Sequence, residues 1–144
     1  MNDIATVLKA KGSEVATIHR DADLRKAAAE LTRLRIGALV VVDDDSALVG
    51  IISERDLVQC LAEHGAATIG RGVATAMTSD VVTAQTDMAV LAALALMTNR
   101  RIRHLPVTRA ESLVGIVSIG DLVKHRVQRI EAEAEAMRAY IQSV

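Results

Sequence analysis

The chain repeats itself once, and that repeat governs what it can fold into. Val49-Gly50-Ile51-Ile52-Ser53-Glu54-Arg55-Asp56-Leu57-Val58 aligns with Val114-Gly115-Ile116-Val117-Ser118-Ile119-Gly120-Asp121-Leu122-Val123 at an offset of 65. Upstream, Thr17, Asp21, Leu31, Arg35 and Ile36 align with Thr83, Asp87, Met97, Arg101 and Ile102 at an offset of 66. The one-residue slip falls between the polar stretches Asp43-Asp44-Asp45-Ser46 and Thr108-Arg109-Ala110-Glu111. Both read as hairpin turns, where a length change leaves the flanking strands intact.

Each copy reads as strand, helix, strand, strand, helix. In the first, residues 15–18 form a short strand. Asp21 is then expected to cap a helix over 22–33 with Leu24, Ala27, Ala28 and Leu31 on one face. The β-branched runs 38–42 and 48–52 flank the Asp-rich turn as a hairpin, and a helix follows over 54–63. The second copy gives a strand at 81–83, a helix over 88–99 begun by Thr86 or Asp87, strands at 104–107 and 113–118, and a final helix. A unit of about 60 residues is marginal alone. The expected fold is therefore mixed α/β (α+β), with two β-α-β-β-α repeats packed sheet to sheet about a pseudo-twofold. The expected boundaries are an N-terminal helical segment at 1–14 (helix 3–9, ended by Gly12), repeat 1 at 15–64, a linker at 65–80, repeat 2 at 81–124, and a C-terminal helical extension at 125–144. The linker holds Gly65, Gly70 and Gly72, then apolar Val73 and Met77.

Composition narrows the function. Of 144 residues 51% are hydrophobic, yet Phe and Trp are absent and Tyr140 is the single aromatic, so the core is aliphatic. Disorder is excluded by the apolar content, and a disulfide scaffold by the lone Cys60. Single-stranded nucleic acid needs aromatic stacking faces, and a duplex binder needs a basic surface; a net charge of −1 offers neither. No apolar run approaches the ~20 residues that span a bilayer. The N-terminal Met1-Asn2-Asp3 has no secretory character. A reduced, cytoplasmic protein with neither membrane nor nucleic-acid partner is expected. His19, His64, His104 and His125 show no metal spacing. Neither a Ser–His–Asp arrangement nor a Walker-type loop is readable, and Gly70-Arg71-Gly72 lacks the strand–helix context of a dinucleotide loop.

Three features together resemble a tandem CBS-domain protein, or Bateman module. They are Val73-Ala74-Thr75-Ala76-Met77-Thr78 ahead of Val81-Val82-Thr83, the run Arg101-Ile102-Arg103-His104-Leu105-Pro106-Val107, and the two Gly-apolar-apolar-Ser-x-x-Asp elements. The ending Ser118-Ile119-Gly120-Asp121-Leu122 is similar to that of stand-alone bacterial two-CBS proteins. The resemblance implies a non-enzymatic regulatory module. Its ligand would be an adenine nucleotide (AMP, ADP, ATP or NAD(H), with S-adenosylmethionine the lesser alternative), held in clefts between the repeats without a metal. Repeat 1 departs from the pattern, with Gly37-Ala38-Leu39-Val40 where repeat 2 has Arg103-His104-Leu105-Pro106.

The chemistry of the remaining candidates fits that class. Asp56 and Asp121, in the first turn of a helix, can each accept two ribose hydroxyl hydrogen bonds; the structural alternative is a helix-start acid favoured by the macrodipole. Ser53 and Ser118 stand at the strand-to-helix junction, where hydroxyl and free amides suit a phosphate, or simply a cap. Gly120 lets a phosphate approach the backbone, and its counterpart Arg55 is a bidentate cation. Arg35 and Arg103 are further phosphate candidates, whereas Arg100 is explained by the helix C-terminus. By resemblance, the backbone of Thr17, Ile18, Thr83 and Ala84 meets the adenine edge, and His104 and Pro106 line the second cleft. Gly50 and Gly115 read as packing positions and Cys60 as a buried small hydrophobe.

The last helix is expected to run from Asp121 to about Gln142. Val123, Val127, Ile130, Ala134, Met137 and Ile141 alternate by four and three, a seam of nearly three heptads. Such a face either folds onto its own domain or pairs across a homodimer, and the resemblance favours the dimer. Two rivals to the regulatory reading remain: a ligandless interaction scaffold for an unidentified protein, and an enzyme fragment.

Overall fold

The computed structural model describes residues 2–143; Met1 and Val144, the outer ends of the expected first and last segments, lie outside the described residues. Thirteen elements follow in order: α1 (Ile4–Lys11), β1 (Thr17–His19), α2 (Leu24–Leu34), β2 (Ala38–Val42), β3 (Leu48–Ser53), α3 (Glu54–His64), a 3-10 turn (Gly65–Gly70), α4 (Val73–Ala76), β4 (Ala84–Gln85), α5 (Val90–Arg100), β5 (His104–Arg109), β6 (Ser112–Ser118) and α6 (Ile119–Ser143). They form two compact units. One is Glu14–Val82; the other joins the segment ending at Ser13 to the segment beginning at Thr83. Each unit holds a three-stranded sheet, β1-β2-β3 or β4-β5-β6, with the middle strand parallel to the first and antiparallel to the third.

The two hairpins and α3 form where periodicity placed them. In the Glu14–Val82 unit, Ile18, Leu24, Ala27, Leu31, Leu39, Val41, Ile52, Cys60 and Val73 close one aliphatic core. Ala28, expected on the buried face of α2, is exposed. In the other unit the buried side chains include Ile4, Val7, Leu8, Val90, Ala93, Met97, Leu105, Val117 and Leu122.

Four local expectations change. The cap of α2 is Asp23, whose carboxylate accepts from the Lys26 N–H, and not Asp21. α5 starts at Val90 behind Ala89, with no side-chain cap from Thr86 or Asp87. β1 covers Thr17–His19, starting two residues and ending one residue later than expected. The strand expected at 81–83 is instead the two-residue β4, and Pro106 accounts for it. In the first sheet the Val40 N–H donates to the Ala16 carbonyl. Pro106, the residue equivalent to Val40, has no N–H to give, so pairing begins only at Ala84↔Val107.

The repeat also reaches further than the sequence shows. The Val90 N–H donates to the Asn2 carbonyl and the Ile4 N–H to that of Met88, each at 2.8–2.9 Å. The Leu24 N–H donates to Arg71 and the Val73 N–H to Ala22, both at 2.8 Å. These are the same two bonds at equivalent positions, so α1 and α4 are themselves copies. α1 completes the unit whose strands lie far along the chain, and α4 the unit whose strands precede it. A Cβ on Gly115 would lie 2.7 Å from the Leu8 side chain, and one on Gly50 2.5 Å from Met77 Sδ. The two glycines are therefore packing positions beneath equivalent helices.

Candidate functional site

The sheet topology gathers candidates at one end of each sheet. In the first unit Ser53 ends β3 opposite Ala38, the start of β2, and the Glu54 N–H donates to the Gly37 carbonyl at 3.0 Å. In the second unit Ser118 ends β6 opposite His104, and the Ile119 N–H donates to Arg103 at 2.8 Å. Strand β1 is an edge. Ala16 and Arg20 bond β2, so by strand alternation the backbone of Thr17 faces the open side. That leaves an extended segment able to pair with a planar heterocycle edge. Ile18 and Ala84 are buried, at 4% and 1% exposure, and Pro106 is buried too. The side chains of these three are therefore closed to a ligand.

At both strand-to-helix junctions the serine and the aspartate bind each other. Asp56 Oδ2 accepts from the Ser53 N–H at 2.9 Å and from Ser53 Oγ at 3.0 Å, while the Asp56 N–H donates back to Ser53 Oγ at 3.3 Å. Ser118 and Asp121 repeat the exchange at 2.8 and 3.1 Å. This is a capping box with Asp in the third helical position. It engages Oδ2 and fixes the rotamer, holding each carboxylate half-buried at the helix start.

Asp121 has a further partner that sequence reasoning missed. Lys11 Nζ donates to Asp121 Oδ2 at 2.7 Å and to the Ile116 carbonyl at 2.7 Å. Burial pushes the Asp121 carboxyl up, but the hydrogen bond from Lys11, the Ser118 N–H and the Lys11 charge together outweigh it and hold the group below its ordinary range. The contact joins residues 110 apart in sequence, so no local signal announces it.

The cationic candidates are all exposed. Arg35 and Arg101 terminate α2 and α5 in the left-handed region, at φ 54 and 55. Glycine is the usual residue there, yet the two arginines stand at equivalent positions. Arg103 precedes β5 and Arg55 lies in the first turn of α3, both with side chains in solvent. Gly120 lies in the first turn of α6, where a Cβ would meet only Ser118 Oγ at 3.6 Å. Nothing in the protein itself requires glycine at that position. Beside Asp56 a groove of about 140 Å³ is lined by Glu63, His64, Arg71 and Thr75 among others. Arg71 Nε is buried there without a hydrogen-bond partner, and Arg71 was also unforeseen as a lining cation.

His19 is brought near two carboxylates despite its lack of metal spacing. Its Nε2 lies 2.7 Å from Asp44 Oδ1, and its Nδ1 accepts from the Asp21 N–H at 3.1 Å. An accepting Nδ1 places the proton of a neutral ring on Nε2, which donates it to Asp44. The ring is thus satisfied by protein groups alone.

Known proteins share this architecture. The family model for the CBS domain matches residues 11–63 and 73–128. The chain is 35% identical to the CBS domain-containing protein CBSX3, mitochondrial, of Arabidopsis thaliana, over 96% of this chain and 71% of that protein. The crystal structure of the CBS-domain containing protein ATU1752 from Agrobacterium tumefaciens matches at 41% identity and a TM-score of 0.85, covering 86% of this chain and 92% of that one. The CBS domain pair of protein MJ0100, in complex with 5′-methylthioadenosine and S-adenosyl-L-methionine, matches at 26% identity and a TM-score of 0.78, over 88% and 97% of the two chains. Among the described residues no helix is long and apolar enough to cross a membrane. With two β-α-β-β-α units, each ending in the same Ser–Asp box, and a family match over most of its length, this chain belongs to the CBS-domain family as a tandem pair.

Proposed function

We propose that this CBS pair is a non-enzymatic regulatory module that binds adenine nucleotides and passes their occupancy to a separate protein. One observation carries the reading: both units present the same constrained carboxylate and serine at a strand-to-helix junction, beside exposed arginines. In each, the capping box uses Asp Oδ2 and leaves Oδ1 to meet ribose hydroxyls. The first-turn N–H groups, Gly120 and Arg55 suit the phosphates, with Arg35 and Arg103 as further cations. The backbone of Thr17, Ile18, Thr83 and Ala84 takes the adenine edge, with His104 and Pro106 completing the second site. AMP, ADP, ATP and NAD(H) are the ligand class, with S-adenosylmethionine less favoured and no metal required. The adenosine compounds held by the pair in MJ0100 support an adenosine-containing ligand. A homodimer in the cytoplasm is part of the same proposal, and the single buried thiol of Cys60 is in keeping with a reducing compartment.

A ligand shifts such a module only by its differential affinity for two states. Calorimetry with AMP, ATP and NADH should show binding to the wild type. Asp56→Asn combined with Asp121→Asn should weaken it about 10–100-fold, the loss of one or two charge-assisted hydrogen bonds per site. No heat with any nucleotide, or unchanged affinity in a folded double variant, overturns the reading. Mass spectrometry of small molecules released from purified protein would identify the natural ligand. The exposed apolar seam of α6 favours a second reading, a ligandless dimeric scaffold. It predicts no nucleotide-dependent thermal shift and a protein partner lost on truncation after His125.

A further inference from the structure

The long helix α6 carries two distinct faces. Leu122, His125, Arg126 and Arg129 are buried or half-buried against their own unit, with His125 Nε2 3.3 Å from Asn2 Oδ1. From Glu131 to the last described residue every position is exposed. About 110° around the helix from the docked face, at ~100° per residue, runs the apolar seam. Its large members are open to solvent: Val123 46%, Val127 46%, Ile130 49%, Met137 59% and Ile141 65%. An apolar stripe of ~27 Å, at ~1.5 Å per residue, is a surface that water disfavours.

The charges beside the seam specify what covers it. With Val127, Ala134 and Ile141 at heptad position a, and Val123, Ile130 and Met137 at d, Arg126 and Glu133 fall at g and Glu131 and Arg138 at e. In a parallel, in-register pair, position g of one helix meets position e of the next heptad on the other. Arg126 then faces Glu131 of the second copy, and Glu133 faces Arg138; symmetry doubles both pairs. The antiparallel register that buries the whole seam, Val123 against Ile141, instead sets Glu131 against Glu131, Glu133 against Glu133 and Lys124 against Arg138. Within one chain Arg138 Nη1 meets Glu135 Oε2 at 3.2 Å, with both side chains largely exposed, so exchanging that partner costs little.

We infer that α6 pairs with α6 of a second copy of this chain as a short parallel coiled coil, its register set by Arg126–Glu131 and Glu133–Arg138. This rests on the homodimer reading and adds the surface and the direction. Two measurements on the full chain test it. In sedimentation equilibrium, Glu133→Arg should weaken the dimer at least 3-fold, and adding Arg138→Glu should restore it. In a Cys60→Ala background, Ile141→Cys should oxidise to an interchain disulfide, since equivalent a positions adjoin only in the parallel arrangement. A chain that stays monomeric at tens of micromolar overturns both the homodimer and the coiled coil. A dimer indifferent to Glu133→Arg and unable to form the disulfide overturns the α6 pairing and leaves the homodimer standing.

Discussion

The two units receive the same carbonyl differently. In the first, the Ile51 carbonyl accepts from the Thr78 backbone N–H at 2.9 Å, just after the short helix α4. In the second, the equivalent Ile116 carbonyl accepts from the Lys11 side chain at 2.7 Å, because the helix there, α1, runs eight residues rather than four. A side chain thus replaces a backbone bridge, and the same ammonium reaches Asp121. One capping box is consequently neutralised by a lysine, whereas among the described residues Asp56 forms no ion pair. The two junctions therefore differ in local charge, which under the proposed function is a physical ground for unequal ligand preference.

The largest expected break of this comparison lies in the glycines beneath the helices. Gly50→Ala would press on Met77 and on the Thr78 carbonyl at 3.0 Å. That carbonyl is tied to the Ile51 N–H and cannot retreat. Gly115→Ala presses only on the Leu8 side chain. Urea unfolding should show a loss of about 2–3 kcal/mol for Gly50→Ala and about 1–2 for Gly115→Ala, within the range for overpacking. Equal losses would mean that the backbone carbonyl does not set the difference.

A smaller contrast concerns the boxes. Asp56→Ala should cost about 1 kcal/mol as a lost cap. Asp121→Ala should cost slightly more, about 1–2, since it also breaks the Lys11 pair, which is partly exposed and therefore partly screened. The Asp121 contribution is fully present above the ordinary carboxylate range and is lost as pH falls through its lower folded-state value. Carboxyl-carbon NMR should show the Asp121 titration moving up in Lys11→Met. An unmoved titration would mean that the serine cap alone holds it down.

Gly120→Ala separates fold from function. With only Ser118 Oγ nearby, at 3.6 Å, alanine should raise stability by up to about 1 kcal/mol while weakening nucleotide binding in calorimetry. Unchanged binding would remove Gly120 from the site. The smallest effect is expected in the second hairpin, where Ala110 and Glu111 take φ 49 and 67. Glu111→Gly should stabilise by up to about 1 kcal/mol in a thermal melt, the left-handed strain relieved less glycine's added unfolded-chain entropy; its counterpart in the first turn is Ser46, at φ 60.

Much of this molecule was legible in its sequence for physical reasons. Alternating β-branched runs can satisfy only a sheet, so both hairpins and their one-residue slip were readable. Helix periodicity gave α3 and α6, and the serine at each helix start was readable as a cap. Local spacing failed where two signals competed. Asp21 and Asp23 both cap well, and Asp23 prevailed because the Leu24 N–H is held by Arg71. The strand at 81–83 failed because its partner residue is a proline 23 positions away.

The sequence by itself determined the repeat, the aliphatic core, the hairpins and the seam, since each depends on residue periodicity within one element. Only the tertiary structure decided that α1 folds with the distant second repeat and α4 with the first, and that Lys11 answers Asp121. It also decided that each serine–aspartate pair is bound to itself before any ligand arrives. Those outcomes depend on which surfaces meet across long loops, and there packing complementarity rather than local propensity sets the free energy.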